Sequence, residues 1–190
     1  MIKNKKIIGI CGSASRNSAN LSILKWISES AKFEFDLEII DDLTELPHFK
    51  TELTDKNVPE KIVAFRNKIE NADGIIICTP EYVFSIPSGL KNMIEWCVST
   101  TVFSDKPIGL ITASASGEKG HTELKMIMET VQTKFTDETT LLIQGVKRKI
   151  EKDGKIKDKN TEQLEKRQAV LSSLYLLQST HHALSKEENK

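Results

Sequence analysis

Apolar positions along this chain alternate between short continuous runs and a three-to-four-residue spacing, and each change of period marks a change of element. Ile7, Ile8 and Ile10 form a run that predicts a first strand. Leu21, Leu24, Ile27 and Ser28 then share one face of a helix that starts near Ser18, with Asn17 or Ser18 as its cap. Phe33, Phe35, Leu37, Ile39 and Ile40 alternate with charged residues over much of their length, which predicts a strand nearer a sheet edge. Segment 41–56 is polar apart from Leu43, Leu46, Pro47 and Phe49. A connection of that length in a compact chain predicts part of a rim around a site.

Pro59 suits the first turn of a second helix, whose stripe is Ile62, Phe65 and Ile69. Ile75, Ile76, Ile77 and Cys78 are a near-continuous run of the kind that is buried on both faces, and it stops at Thr79-Pro80 because proline cannot donate in a central ladder. A polar-aromatic loop, 81–88, leads into a third helix through Leu90, Met93, Ile94 and Cys97. Residues 107–112 predict a fourth strand, followed by a small-residue turn at 113–120. Leu124, Ile127, Met128, Val131 and Phe135 give the next helix a clear stripe. A fifth strand is expected over 140–146, a hairpin turning at Asp153-Gly154, and a last helix over about 160–184, with 185–190 fraying.

Strands and helices in strict alternation predict an α/β domain, a parallel sheet covered by helices on both faces, and one domain spanning 1–190. The first, third and fourth strands all end in small or polar loops. In such a sheet those ends share one edge, where open α/β folds bind ligands.

Charge and composition narrow the partners. The 190 residues carry 27 basic and 27 acidic side chains, so no net field points to nucleic acid or an anionic membrane. The basic residues of 147–159 are interrupted by acidic ones and read as a solvated hairpin. Cys11, Cys78 and Cys97 lack paired spacing and read as reduced thiols packed as small hydrophobes. With no secretory or spanning segment in view, that predicts a cytoplasmic protein. His48, His121, His181 and His182 lack metal-ligand spacing with these cysteines, so no metal is expected. His181 and His182 read as rim or surface residues, and Trp26 and Trp96 as core or interface residues, Trp96 being the better interface candidate.

The candidate chemistry begins at Cys11. Strand residues run into Gly12-Ser13-Ala14-Ser15-Arg16-Asn17-Ser18 and then a helix. Such a turn directs backbone N–H groups toward one point, and the helix start adds unpaired N–H groups and the positive dipole end. The glycine-lysine-hydroxyl ending of a triphosphate loop is absent, and so is the GxGxxG spacing of a dinucleotide fold. Ser13, Ser15, Ser18 and Asn20 with Arg16 suit a terminal phosphate monoester. A serine-capped turn without a ligand accounts for the same residues.

At this loop and at Pro80 the chain resembles the NADPH-dependent FMN reductase family, a flavodoxin-like branch that includes flavin, quinone, azo-dye and chromate reductases. Gly12, Ser13, Ser18 and Asn20 match its first signature. Ser15 stands where many members have arginine, so either Ser15 or Arg16 takes that contact. The second signature appears as Pro80-Glu81-Tyr82-Val83-Phe84-Ser85-Ile86-Pro87-Ser88-Gly89-Leu90-Lys91-Asn92, with Glu95 after it. Val83 replaces asparagine and Ser88 replaces glycine. Gly117 and Gly120 keep part of a third, glycine-rich loop in which Ser116 and His121 replace glycines.

The resemblance implies a flavodoxin-like three-layer sandwich with a five-stranded parallel sheet in the order 2-1-3-4-5. It implies that Ser13, Ser15, Arg16, Ser18 and Asn20 enclose the phosphate of FMN. Pro80, Glu81, Tyr82 and Val83 would border its ring, with Ser114, Ser116 and Gly117 beside it. Phe84 and Lys119 are the candidate substrate-pocket residues. The implied activity is hydride transfer from NADPH or NADH to flavin and on to a quinone, flavin, azo compound or metal ion. No catalytic side chain is required. A homodimer or dimer of dimers is also implied. The alternative is a non-enzymatic FMN-binding electron carrier or redox-sensing interaction protein, although carriers of this fold are commonly acidic and this chain is neutral.

Overall fold

A computed structural model of the protein describes residues 5–149. The hairpin at Asp153-Gly154, the last helix, the frayed end and His181-His182 lie outside the described residues. Five strands, β1 (Lys5–Cys11), β2 (Phe35–Ile40), β3 (Gly74–Thr79), β4 (Ile108–Ala113) and β5 (Thr140–Ile143), form one sheet in the order β2-β1-β3-β4-β5. Every neighbouring pair is parallel. The helices are α1 (Ala19–Ser30), α2 (Glu60–Glu70), α3 (Ser88–Glu95), α4 (Glu118–Thr130) and a short α5 (Val146–Lys149).

Side-chain alternation in the strands builds the two outer layers. Ile8, Ile10, Ile75, Ile77 and Leu110 point to the face packed by Phe65 and Ile69 of α2, Leu90 and Met93 of α3, and Leu124 and Met128 of α4. Ile7, Cys11, Ile76, Cys78 and Ile111 point the other way, onto Leu24 and Ile27 of α1 and Val146 of α5. Helices on both faces therefore bury β3 and β4 throughout, the polar Thr79 and Thr112 included. Register places Cys11 beside Cys78 and Thr79 beside Thr112, so the loops after β1, β3 and β4 leave from one edge.

The polar excursion after β2 is held by side chains from two helices. Asn92 accepts from the Phe49 amide at 2.7 Å and donates to the Pro47 carbonyl at 3.0 Å. Arg66 donates through Nη1 to the Thr54 carbonyl at 3.0 Å and through Nε to the Trp96 carbonyl at 2.8 Å. Of the two roles open to Trp96, core and interface, the structure selects the core. It is fully buried, donates Nε1–H to the Pro47 carbonyl at 2.7 Å, and meets the Phe49 ring edge-on at 5.3 Å.

Several boundaries differ from the periodicity, α3 for instance ending at Glu95, before Cys97. Phe33 precedes β2 and is 87% exposed, with the Lys32 ammonium 5.3 Å from its ring centroid. Phe135 lies beyond α4, because Gln132 turns the chain at φ 61°, yet its side chain still packs against the core. Val146, which the sequence pattern places in the last strand, opens α5. The Gly145 and Val146 amides leave the ladder to bond the Ala115 and Ser114 carbonyls at 3.0 and 3.2 Å.

Candidate functional site

Loop one leaves β1 through Gly12, which has no room for a side chain. A Cβ there would stand 2.4 Å from Thr79 Oγ1 and 2.7 Å from Thr79 Cβ. Its amide donates to the Cys78 carbonyl at 2.9 Å, so the turn is pressed against the end of β3. The Ser13 hydroxyl accepts from the Ser15 amide at 3.2 Å and lies 3.3 Å from the Tyr82 hydroxyl. Loops one and two are thereby joined at the mouth between β1 and β3.

The remaining polar residues of loop one divide by direction. Ser18 is buried and caps α1, accepting from the Leu21 amide at 3.1 Å, with Cys11 Sγ 3.7 Å from its hydroxyl. Asn20, 3% exposed, donates to the Ala113 carbonyl at 3.3 Å and accepts from Cys78 Sγ at 3.4 Å. These two groups tie the ends of β1, β3 and β4 to α1. Ser15 and Arg16 face solvent. Asp42 is held below the usual carboxylate range chiefly by bonds from Thr44, and the Arg16 cation adds to the effect.

Loop two starts at the buried Pro80 and closes as a tight hairpin. The Tyr82 amide donates to the Ser85 carbonyl at 2.9 Å, and the Ser85 amide donates back at 3.0 Å. The two residues between them, Val83 and Phe84, have φ of 52° and 61°. Such left-handed pairs match the twist of a hairpin and ordinarily recruit asparagine or glycine. Here a β-branched and an aromatic residue occupy them, 94% and 71% exposed. Ser88, in place of a glycine, is simply the first residue of α3.

Glu81 does not point outward. Its carboxylate accepts from the Gly120 amide at 2.8 Å and from the Gly117 amide at 3.3 Å, and its carbonyl lies 3.5 Å from the Ser114 hydroxyl. In loop three, Gly117 has φ 89°, and a Cβ would stand 2.9 Å from Leu142 Cδ1, so both conformation and space require glycine. Ser116 is exposed. The Lys119 ammonium sits 5.9 Å from the centroid of the Phe84 ring. His121 Nδ1 lies 2.9 Å from the buried Thr112 hydroxyl, and burial, with Lys125 nearby, lowers the imidazole pKa.

The structure thus brings Ser13 and Tyr82 into contact, Glu81 onto Gly117, and Lys119 over Phe84. It turns Ser18 and Asn20 into the protein. Two contacts were not legible in the sequence: Glu123, whose carboxylate accepts from the Ile86 amide at 3.1 Å, and Thr112 with His121, which the sequence marked only as replacing a glycine. Both depend on the packing of α4 against the sheet edge. Among the described residues no group of three or more His, Cys, Asp or Glu side chains is gathered as a metal site.

Comparison with known proteins decides the family. Residues 5–146 match the model of the family described as NADPH-dependent FMN reductase. The chain belongs to that family. It is an FMN-dependent NAD(P)H oxidoreductase that reduces small acceptors. Among its relatives is the NAD(P)H:quinone oxidoreductase of Solanum tuberosum, 30% identical over 181 residues, covering 90% of this chain and 92% of the relative. The quinone reductase of Escherichia coli K12 is 27% identical over 123 residues, 63% of this chain and 65% of that protein. The flavoenzyme NAD(P)H:(acceptor) oxidoreductase of Paracoccus denitrificans shares the fold, with a TM-score of 0.79 at 22% identity over 93% of this chain and 98% of its own. The reductase family's five-stranded parallel sandwich is the one expected from the sequence.

Proposed function

We propose that loop one of this reductase receives the phosphate of FMN and loop two borders the ring. The Ser13–Tyr82 contact carries the reading, because it joins the hydroxyl-rich turn to the aromatic hairpin between β1 and β3. The donor set fits a phosphate monoester: a hydroxyl at Ser13, exposed Ser15 and Arg16, and the start of a capped helix. In this reading Ser13, Ser15 and Arg16 contact the phosphate, while Ser18 and Asn20 hold the turn in shape. Pro80, Tyr82 and Val83 form the edge that meets the ring. Glu81, Ser114, Ser116 and Gly117 fix or flank that edge.

When bound, FMN would supply acceptance and release of hydride at its ring, from reduced nicotinamide and to the acceptor. The residues of this chain orient, exclude water and leave a face open; none is needed as a dedicated acid or base. Phe84 and Lys119 border the substrate pocket, a flat apolar surface beside a cation. We read the acceptor as a quinone, flavin, azo compound or metal ion, the quinone being favoured by the names of the relatives above. The donor is NADPH or NADH. The exposed Val83 and Phe84 support a second copy covering this turn, in a homodimer or dimer of dimers.

We take residues 1–190 as one domain. Three buried, unpaired cysteines support the cytoplasm as its compartment. No helix among the described residues is long and apolar enough to cross a membrane. The test is an anaerobic stopped-flow mixture of the FMN-loaded protein with NADPH and, separately, NADH. Rapid bleaching of the flavin bands followed by recovery on adding a quinone is expected. Reduction only by a protein donor would instead establish a carrier.

A further inference from the structure

The hairpin of loop two is fastened to α4 from both directions. Glu81, on its first stem, accepts from the Gly120 and Gly117 amides at 2.8 and 3.3 Å. Those amides open α4, whose N-cap is Gly117 and which has no side-chain cap of its own. Glu81 therefore supplies the missing cap from another segment of the chain. On the second stem the direction reverses: Glu123 of α4 accepts from the Ile86 amide at 3.1 Å. Each element lends a carboxylate to unpaired amides of the other.

Contact between the two is close. A Cβ on Gly120 would lie 3.1 Å from both Glu81 Cβ and Cγ and 3.3 Å from the Ser85 carbonyl oxygen. Between the two fastenings stands the Val83–Phe84 tip, in a conformation that its residue types disfavour. A hairpin of this size is marginal by itself, so its position is dictated by what holds its stems.

We propose that Glu81 and Glu123 are positioning residues, a reciprocal pair of carboxylate clasps that preorganise hairpin 81–86 for the flavin ring. The proposal rests on the reading that this hairpin faces the ring. The clasps spare cofactor binding the entropy of ordering a mobile loop, the general advantage of preorganisation.

Hydrogen exchange read by mass spectrometry on FMN-free protein tests the clasps without any turnover. In Glu81→Ala and Glu123→Ala, exchange across 81–88 should accelerate about tenfold, while peptides from β3 and β4 keep wild-type rates. Glu123→Gln, whose amide oxygen still accepts from Ile86, should stay near wild type. FMN titration of the same proteins should show affinity lower by about tenfold in both alanine variants and restored in Glu123→Gln. If Glu81→Ala unfolds the chain, β3 and β4 will exchange quickly too, and Glu123→Ala then decides. Unchanged exchange at 81–88 in Glu123→Ala overturns the clasps. Faster exchange with undiminished FMN affinity overturns the placement of the hairpin at the ring, and the positioning role with it.

Discussion

His121 Nδ1 lies 2.9 Å from the hydroxyl of Thr112, a fully buried residue at the end of β4. Burial lowers the imidazole pKa below its ordinary 6.5, and Lys125 lowers it further. The folded state therefore resists a proton that the unfolded chain accepts. Stability from this group is complete above about pH 6.5 and declines as the pH falls through that value toward the folded pKa, because the unfolded state then binds more protons. Urea melts from about pH 7.5 down to pH 5 should show this slope. His121→Asn should flatten it, and an unchanged slope would assign the effect to other groups.

Val83 is a β-branched residue at φ 52° with almost no packing to lose, since it is 94% exposed. Val83→Asn should raise stability by about 1 kcal/mol by placing a residue that tolerates the left-handed region. A denaturant midpoint that does not move would show that the turn is relaxed as it stands.

Gly12→Ala would place a methyl group 2.4 Å from Thr79 Oγ1, on a turn already bonded to the Cys78 carbonyl. We expect a loss of about 1–3 kcal/mol from overpacking. FMN affinity should fall in the same variant, because the turn can only yield by moving loop one. Thermal unfolding with an FMN titration measures both.

Serines of loop one should separate by direction. Ser13→Ala and Arg16→Ala should each weaken FMN by about ten- to a hundredfold, the loss of one charge-assisted bond of roughly 1.5–3 kcal/mol. Ser18→Ala should instead cost stability, about 1 kcal/mol, through the loss of the α1 cap on the Leu21 amide. Equal effects of Ser13 and Ser18 on both quantities would contradict the division.

The thiols should be silent in the folded protein. Burial pushes the Cys97 pKa up to about 12 and raises those of Cys11 and Cys78 as well. Neutral alkylating reagents near pH 8 should label none of them until the chain unfolds, since the thiolate is the reactive form. Fast labelling of the native state would require a local opening at the sheet edge.

Strand and helix boundaries were legible wherever the apolar period is clean. Ile75 to Cys78 read as a strand covered on both faces, and Leu24 and Ile27 fall on the buried stripe of α1. Periodicity puts Phe33 and Val146 in strands because apolar character says nothing about where a ladder ends; for Val146, hydrogen bonds from the Val146 and Gly145 amides to Ser114 and Ala115 at the end of β5 decide it. For Trp96 the choice between core and interface was settled by contacts with Pro47 and Phe49, residues of a polar segment whose path the sequence does not reveal.

By itself the sequence determined the alternation of elements, the single sheet edge shared by three polar loops, and the signatures that point to a flavin reductase. The first two follow from local periodicity and turn composition, and the last from resemblance to the family's motifs at 12–20 and 80–95. Tertiary structure alone decided which polar groups face the mouth and which face the protein. Ser18 and Asn20 turn inward, Glu81 caps a helix that starts 37 residues later at Glu118, and Glu123 reaches back to Ile86. Hydrogen-bond direction depends on how α4 docks beside loop two, a long-range packing outcome that no local pattern encodes.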